Sequence, residues 1–364
     1  MNVLLVEPYY GGSHKAWADG YVASSSHDVQ LITHPARFWK WRMHGGFLTL
    51  ANEVRTLAEG GWVPDVVLAS SMMDVAAFMG AARHSVPRAP IATYFHESLF
   101  TYPLSPADKV DFTYQMKNWA SAAVSDLVIF NSEFHRSVFA AQAEAFLNVF
   151  PDEKHNGLVP DVVERAIVLP VGIDLSGLTG ERVPRSGPQL IVWNQRWEHD
   201  KGPAELLAIV AGLIDANVEF EMAMCGEVFV SVPPEFAEIT ELLGHRLIHA
   251  GLADRGRYED LLLSASVVLS TAEQEFFGIG VVEGVAAGAL PVLPNRLVYP
   301  ERVDALGADP ALCLYDTTDE AVALIVIQLT RTPDTQLRSA ALRYDWLEVA
   351  PSYDDSLRAL VQHP

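Results

Sequence analysis

The sequence predicts an α/β protein built from two doubly wound parallel-sheet domains that face each other across a cleft. Three observations predict it. Short apolar runs alternate with longer stretches that can be helical. The runs are continuously apolar, as in strands covered on both faces. The alternation halts at a polar stretch and then begins again. Length agrees, since 364 residues exceed the roughly 100–200 residues of one domain. Half the chain is hydrophobic, with 16 Phe, 11 Tyr and 8 Trp, which suffices for two cores and argues against disorder.

The first expected strand is Val3–Val6, an apolar run ended by Glu7 and too short for a signal peptide or a membrane span. Further strands are expected at Val29–Thr33, Val66–Ala69, Ile91–Phe95, Leu127–Phe130 and Ile167–Leu169. Helices are expected at Asp74–Arg83, Asp108–Val124 and Phe134–Phe146. This gives a first domain over residues 1–177. Residues 178–188, rich in Gly, Pro, Arg and Ser, read as a linker.

The second domain, 189–345, repeats the pattern. Its strands are Leu190–Trp193, Glu219–Met224, Leu247–His249, Val267–Ser270 and Leu290–Leu293. Its helices are Pro203–Ala216, Arg257–Ser264 and Val281–Ala287. Residues 346–364 hold a last helix over Tyr353–Val361, expected to cross back to the first domain. Cys225 and Cys313 stand in no metal-ligand spacing and read as buried thiols of a reduced compartment, the cytoplasm.

Ligands of open α/β sheets bind outside the carboxyl ends of the strands, and two motifs fall there. In Glu275-Phe276-Phe277-Gly278-Ile279-Gly280-Val281-Val282-Glu283, a strand is followed by a glycine and a helix start. Unpaired first-turn amides and the positive helix end suit a diphosphate. Glu275 in the loop and Glu283 within the helix can accept hydrogen bonds from two sets of sugar hydroxyls. Two solvated acids flanking a packed Phe-Phe turn would read the same locally. The second motif runs from Asn194 through Arg196 and Lys201 to Pro203, which suits a first helical turn. Arg196 and Lys201 can converge on one pyrophosphate and stabilise it as a leaving group. Surface pairing with Glu198 and Asp200 is the plainer alternative.

The net charge is −21, which argues against unspecific binding to nucleic acid. It is uneven: residues 1–174 carry 12 Lys+Arg and 18 Asp+Glu (−6), and residues 175–364 carry 13 and 28 (−15). Within the less acidic half, Val29–Asn52 holds no acid at all, while Arg37, Lys40 and Arg42 interleave with Phe38, Trp39 and Trp41. A loop of this composition can pair with phosphates and stack on splayed single-stranded bases. Equally, the aromatics can fill a helix-to-sheet contact with the cations turned outward.

The Arg-x4-Lys and Glu-x7-Glu elements resemble those of retaining glycosyltransferase family 4, of GT-B fold. Val171-Gly172-Ile173-Asp174 and Cys225-Gly226-Glu227 resemble turns of the same family. Glu7-Pro-Tyr-Tyr-Gly-Gly-Ser-His-Lys15, Pro35–Gly46, Trp193–Gly202 and Asn295–Glu301 narrow the resemblance to the tRNA-queuosine α-mannosyltransferase group, over nearly the whole chain. It implies two Rossmann-like domains and a donor diphosphate held by Arg196 and Lys201. Glu283 is then on the ribose and Glu275 on the hexose, with Asn194, Gly226, Phe277, Gly278 and Ile279 lining the donor.

On the same resemblance Gly12 approaches the phosphate or acceptor and His96 faces the sugar. His14, Glu97 and Asn131 join Arg37, Trp39, Lys40, Trp41 and Arg42 on the acceptor side. Retention of configuration, GDP-mannose as co-substrate, a queuosine-bearing tRNA anticodon loop as partner, and neither metal nor cofactor are implied. Away from the resemblance, a small-molecule, lipid or polysaccharide acceptor and a non-catalytic nucleotide-sugar binder stay open. No Gly-x-Gly-x-x-Gly opens either half, which disfavours a nicotinamide dehydrogenase.

Overall fold

The computed structural model describes residues 1–86, 88–101, 111–228 and 232–362. It divides into two units, Met1–Asp174 with Trp346–Pro364, and Leu175–Asp345.

The first unit runs β1 (Asn2–Tyr10), α1 (Gly12–Ser24), β2 (Asp28–Pro35), α2 (Trp39–Glu59), β3 (Val66–Ser70), α3 (Val75–Ala82) and β4 (Ile91–Phe95). It continues with α4 (Phe112–Val124), β5 (Leu127–Phe130), α5 (Glu133–Leu147), α6 (Val159–Glu164) and β6 (Ala166–Val168). The expected helix from Asp108 begins at Phe112; residues 108–110 lie outside the described residues. The strands pair in parallel in the order β2-β1-β3-β4-β5-β6. Leu4 thus sits between Gln30 and Val67. Val3–Val6 and Val66–Ala69 are fully buried, as strands covered on both faces must be. Strand order reverses between β1 and β3, so the turn after β1 leaves the sheet at a switch point.

Helix α2 was not expected over this span. Met43, Gly46, Leu50, Ala51 and Val54 recur at helical spacing and face inward. The Gly45-Gly46 pair, poor in helix propensity, conceals that periodicity. The aromatic-basic segment therefore forms the first turns of a helix.

Helix α15 (Trp346–Gln362) completes the first unit. Its Trp346 amide donates to the Ile173 carbonyl at 3.1 Å, and Tyr353 Oη donates to the Pro170 carbonyl at 2.9 Å. Trp17 Nε1 donates to Tyr353 Oη at 3.3 Å. Asp354, 3% exposed, accepts from Tyr21 Oη, the hydroxyls of Ser25 and Ser26, and the Ser26 amide.

The second unit runs β7 (Gln189–Trp193), α7 (Pro203–Asp215), β8 (Phe220–Cys225), α8 (Glu235–Leu243), β9 (Leu247–Gly251), α9 (Arg255–Ser264) and β10 (Ala265–Leu269). Then come α10 (Ile279–Ala286), β11 (Leu290–Pro294), α11 (Tyr299–Leu306), α12 (Pro310–Cys313), β12 (Leu314–Tyr315), α13 (Thr318–Leu329) and α14 (Thr335–Leu342). Its parallel sheet is ordered β12-β11-β10-β7-β8-β9. Order reverses between β7 and β10, so the loops after those two strands flank the switch point where such sheets take ligands. Residues 178–188 are tied to this unit: Arg182 donates to the carbonyls of Gly288 and Ala265, and Arg338 to those of Leu178 and Gly180.

Burial alone would raise the Asp354 carboxyl, but the Ser25, Ser26 and Tyr21 donors lower it below the ordinary carboxylate range. A depressed acid stabilises the fold above its unfolded pKa and ceases to do so as pH falls through its folded value. Asp354→Ala is expected to cost about 2 kcal/mol at pH 7. The deficit should shrink as pH drops below about 3.9, read from urea unfolding at each pH. A deficit that did not change with pH would contradict an ionised Asp354.

Candidate functional site

The loops after β7 and β10 interlock. Thr271 Oγ1 donates to the Lys201 carbonyl at 2.7 Å and accepts from Trp193 Nε1 at 3.1 Å. The amides of Glu273 and Gln274 donate to the Asp200 carbonyl. Gly202 stands at φ +61, and a Cβ there would lie 2.1 Å from the Thr271 oxygen. No other residue fits that crossing. Gln195 Nε2 reaches Ser270 Oγ at 2.6 Å, which meets the Tyr299 hydroxyl at 2.5 Å.

Arg196 and Lys201 reach a common anion. Arg196 lies 2.9 Å from Glu198 and 3.8 Å from Asp200; Lys201 Nζ lies 3.2 Å from the same Asp200 oxygen. Lys201 is 7% exposed and also donates to the Gln274 carbonyl at 2.8 Å. Its third neighbour is Glu275 Oε2 at 3.5 Å. Burial raises the Glu198 carboxyl, so one of the acids beside Arg196 is costly to keep charged.

Glu275 is held differently from the expectation. Its Oε1 accepts the amides of Phe276, Phe277 and Gly278 at 3.1, 3.2 and 3.1 Å. Burial pushes its pKa up, but Lys201 and these three amides outweigh it and leave it below the ordinary value. The helix tip is therefore not bare at Phe276–Gly278. The amides left to open α10 are those of Ile279, Gly280 and Val281. Phe277 presents neither ring nor amide outward: its ring is buried against the Arg302 guanidinium, 4.2 Å from the centroid, and its carbonyl accepts from Arg302 Nε. Gly278, at φ +85, caps the helix.

Glu283 is nine-tenths buried. Its Oε2 accepts from Tyr258 Oη at 2.7 Å, and its Oε1 lies 3.6 Å from Arg255. Asn194 Nδ2 donates to Tyr258 Oη and to the Gly280 carbonyl, both at 2.8 Å. Asn194, Gly280 and Glu283 thus form one hydrogen-bonded corner. Gly226 supports it from behind, since a Cβ there would lie 1.8 Å from the Gln195 oxygen. Tyr258, Arg302 and Ser270 were missed from sequence; a tyrosine within an ordinary helix and an arginine under a phenylalanine carry no local signal.

In the first unit, His14 Nδ1 lies 3.1 Å from Glu7 Oε2, and His96 Nε2 lies 3.8 Å from the same oxygen. The two imidazole centroids are 4.1 Å apart. Asn131 Nδ2 donates to the His96 carbonyl, and its Oδ1 meets His135 Nδ1 at 2.9 Å. Burial, together with His14 and His135, holds His96 well below the ordinary histidine value. Burial drives His135 down to about 3. Glu97 follows His96 and is half-buried. Gly12, at φ +52, opens α1 with open space where a Cβ would stand. Glu7, missed from sequence, joins His14 and His96 to place three ligand-type atoms within 4.8 Å of one another.

At the start of α2, Phe38 is 77% and Trp41 62% exposed. Arg37 and Lys40 are exposed too. Trp39 does not share that exposure: it is half-buried, its ring 5.0 Å from that of Tyr114 and 5.6 Å from Lys40 Nζ. Arg42 is half-buried. Phe38 and Trp41 therefore do not fill a core contact.

The N-terminal family described as "tRNA-queuosine alpha-mannosyltransferase N-terminal" matches residues 2–173. A tRNA-queuosine alpha-mannosyltransferase of Drosophila melanogaster is 33% identical over 311 residues, which span 82% of this chain and 81% of the relative. Among solved structures, sucrose-phosphate synthase from Thermosynechococcus elongatus superposes with a TM-score of 0.71 at 16% identity, covering 100% of both chains. HepE of Anabaena, in complex with UDP, superposes at 0.67 and 16% identity, covering 99% of this chain and 100% of its own. These likenesses show the GT-B fold, two Rossmann-like units with parallel sheets.

Gly226→Ala is expected to cost about 1–3 kcal/mol, as an overpacked site does, and to weaken nucleoside-diphosphate binding by shifting the Asn194–Arg196 turn. Calorimetric unfolding and titration with GDP measure both; a variant that matched the parent in each would show that this turn does not depend on the close approach.

Proposed function

The chain belongs to the tRNA-queuosine alpha-mannosyltransferase family, and from that premise we propose that it moves mannose from GDP-mannose to the cyclopentenediol of queuosine in a tRNA anticodon loop. The anomeric configuration is retained, and protein cations hold the diphosphate in place of a metal. The reaction belongs to the cytoplasm; among the described residues no helix is long and apolar enough to cross a membrane. The mannosyl group and the guanosine both follow from the family alone.

The observation that carries the reading is the convergence of Arg196 and Lys201 on one carboxylate, Asp200, beside the opening turn of α10. An incoming diphosphate offers those cations two charges and more acceptor oxygens than Asp200 does, and α10 adds its amides and positive end. As the bond from the anomeric carbon to the diphosphate breaks, Lys201 and Arg196 meet the developing charge. A bond to the acceptor hydroxyl forms on the same face, and its proton leaves with the diphosphate. Glu275, pinned through Oε1, faces Lys201 with Oε2 and offers that oxygen's remaining lone pair to a hexose hydroxyl. Glu283 and Tyr258 form a rigid pair for the ribose hydroxyls.

The acceptor is assigned to the first unit. Arg37, Lys40, Trp41 and Arg42, with Phe38 exposed among them, combine cations and aromatic faces on a stretch without acids. Phosphates and unstacked bases of an anticodon loop suit that combination.

Transfer is tested with tRNA that carries queuosine and tRNA that lacks it. Lys201→Ala is expected to lower kcat on the order of 100-fold, as loss of one preorganised donor does; an unchanged kcat would remove Lys201 from the leaving-group role. Replacing both Arg37 and Arg42 with Ala is expected to raise the acceptor KM and flatten its dependence on salt, while GDP affinity holds. An equal loss of GDP affinity would move this segment to the donor.

A further inference from the structure

The segment Asn295–Glu301 and the arginine after it take no part in the transfer proposed above, yet they hold the loop that opens α10. Arg296 Nε donates to the Ala272 carbonyl at 3.1 Å, and its Nη2 to that of Thr271 at 3.2 Å. Tyr299 Oη meets Ser270 Oγ at 2.5 Å, and Arg302 Nε donates to the Phe277 carbonyl at 3.1 Å. The three side chains stand three residues apart, in α11 and the turn before it, and brace residues 270–278 along their length.

Arg302 differs from the other two. It is 3% exposed, and a guanidinium stays protonated. No carboxylate pairs with it among the described residues. A buried charge without a counter-ion is costly, so its surroundings must hold it. Its Cζ lies 4.2 Å from the Phe277 ring centroid and 4.9 Å from that of Tyr344. Its Nη1 donates to Tyr344 Oη at 2.5 Å.

The Phe277–Gly278 peptide is thus gripped at both ends. Its carbonyl takes Arg302 Nε, and its N–H donates to Glu275 Oε1 at 3.1 Å. Gly278 stands at φ +85. Glycine occupies positive and negative φ about equally, so Gly278 alone does not decide which way this peptide faces. Glu275 decides it weakly, since three amides share one of its oxygens. Turned over, the peptide would set a carbonyl beside the amides that open α10. A carbonyl only accepts hydrogen bonds, as a phosphate does, and would repel one.

We infer that Arg302 is a positioning residue: it holds the Phe277–Gly278 peptide with its carbonyl inward, so that the opening of α10 is set for a diphosphate before one arrives. The inference rests on the proposed transfer, which places the donor there.

Two variants of the full chain test it. Arg302→Met removes the cation but keeps a side chain that packs against aromatic rings. It is expected to weaken GDP binding roughly 10-fold, the factor by which the competent turn is depopulated. Donor KM should rise by a similar factor and kcat fall less, since bound donor pulls the turn back. Arg302→Lys keeps a cation but not the fork, and is expected to recover part of the affinity. Gly278→Ala supplies a reading free of ligand. Alanine at positive φ is strained, so it should lower the melting temperature of the parent. In the Arg302→Met background the peptide can turn over, and the same substitution should lower it less.

GDP affinity at the parent value in both Arg302 variants would overturn the inference, whatever their melting temperatures. So would melting-temperature losses that simply add. Should Arg302→Met fail to fold, Arg302→Lys serves in both measurements, with an affinity loss of roughly 3-fold expected and the same contrary results. Absence of GDP binding by the wild type would instead count against the proposed donor site, and the coupling to Gly278 would still decide whether Arg302 holds the peptide.

Discussion

The second unit's site depends on one half-buried carboxylate. Glu275 gathers three consecutive amides on one oxygen and faces Lys201 with the other. Hydrogen bonds to a charged group contribute roughly 1.5–3 kcal/mol each. Three of them, with an ammonium alongside, offset the several kcal/mol that desolvating a carboxylate costs. The turn from Glu275 to Gly278 then has one shape, and α10 starts where that turn ends. Lys201 is fixed in the same act, because its other partners, the Gln274 carbonyl and Asp200, belong to the two interlocked loops.

The two units solve opposite electrostatic problems. The second is strongly acidic overall, yet its site concentrates cations against Asp200 and Glu198, with a helix opening beside them. There the two cations and the two carboxylates balance one another. In the first unit, burial holds His96 and His135 below the ordinary histidine value, and Glu7 is buried beside His14 and His96. Its cations sit instead on the exposed start of α2, beside two solvent-facing aromatic rings.

Much of this was legible in the sequence, for identifiable reasons. Parallel strands buried on both faces read as continuous apolar runs, so Val3–Val6 and Val66–Ala69 declared themselves. Strand ends followed by Gly or Pro and a helix located the loops holding Arg196, Lys201 and Glu275. What failed were interactions set by tertiary structure. A carboxylate that binds its own following amides looks like one that awaits a ligand, so Glu275 was read as leaving the helix tip bare. Glu7 looked like the polar end of a strand, because nothing local shows that His14 will fold back over it. Trp39 and Trp41 carry the same local signal, and their difference in exposure follows from the face of α2 each occupies.

The proposed function requires that Arg196, Lys201 and the opening of α10 form a nucleoside-diphosphate site that needs no metal. Titration calorimetry of the purified chain with GDP, repeated in excess chelator, tests it most directly. One binding event per chain, unaltered by the chelator, is the predicted result. Absence of binding, or binding that the chelator abolishes and a divalent ion restores, would contradict it.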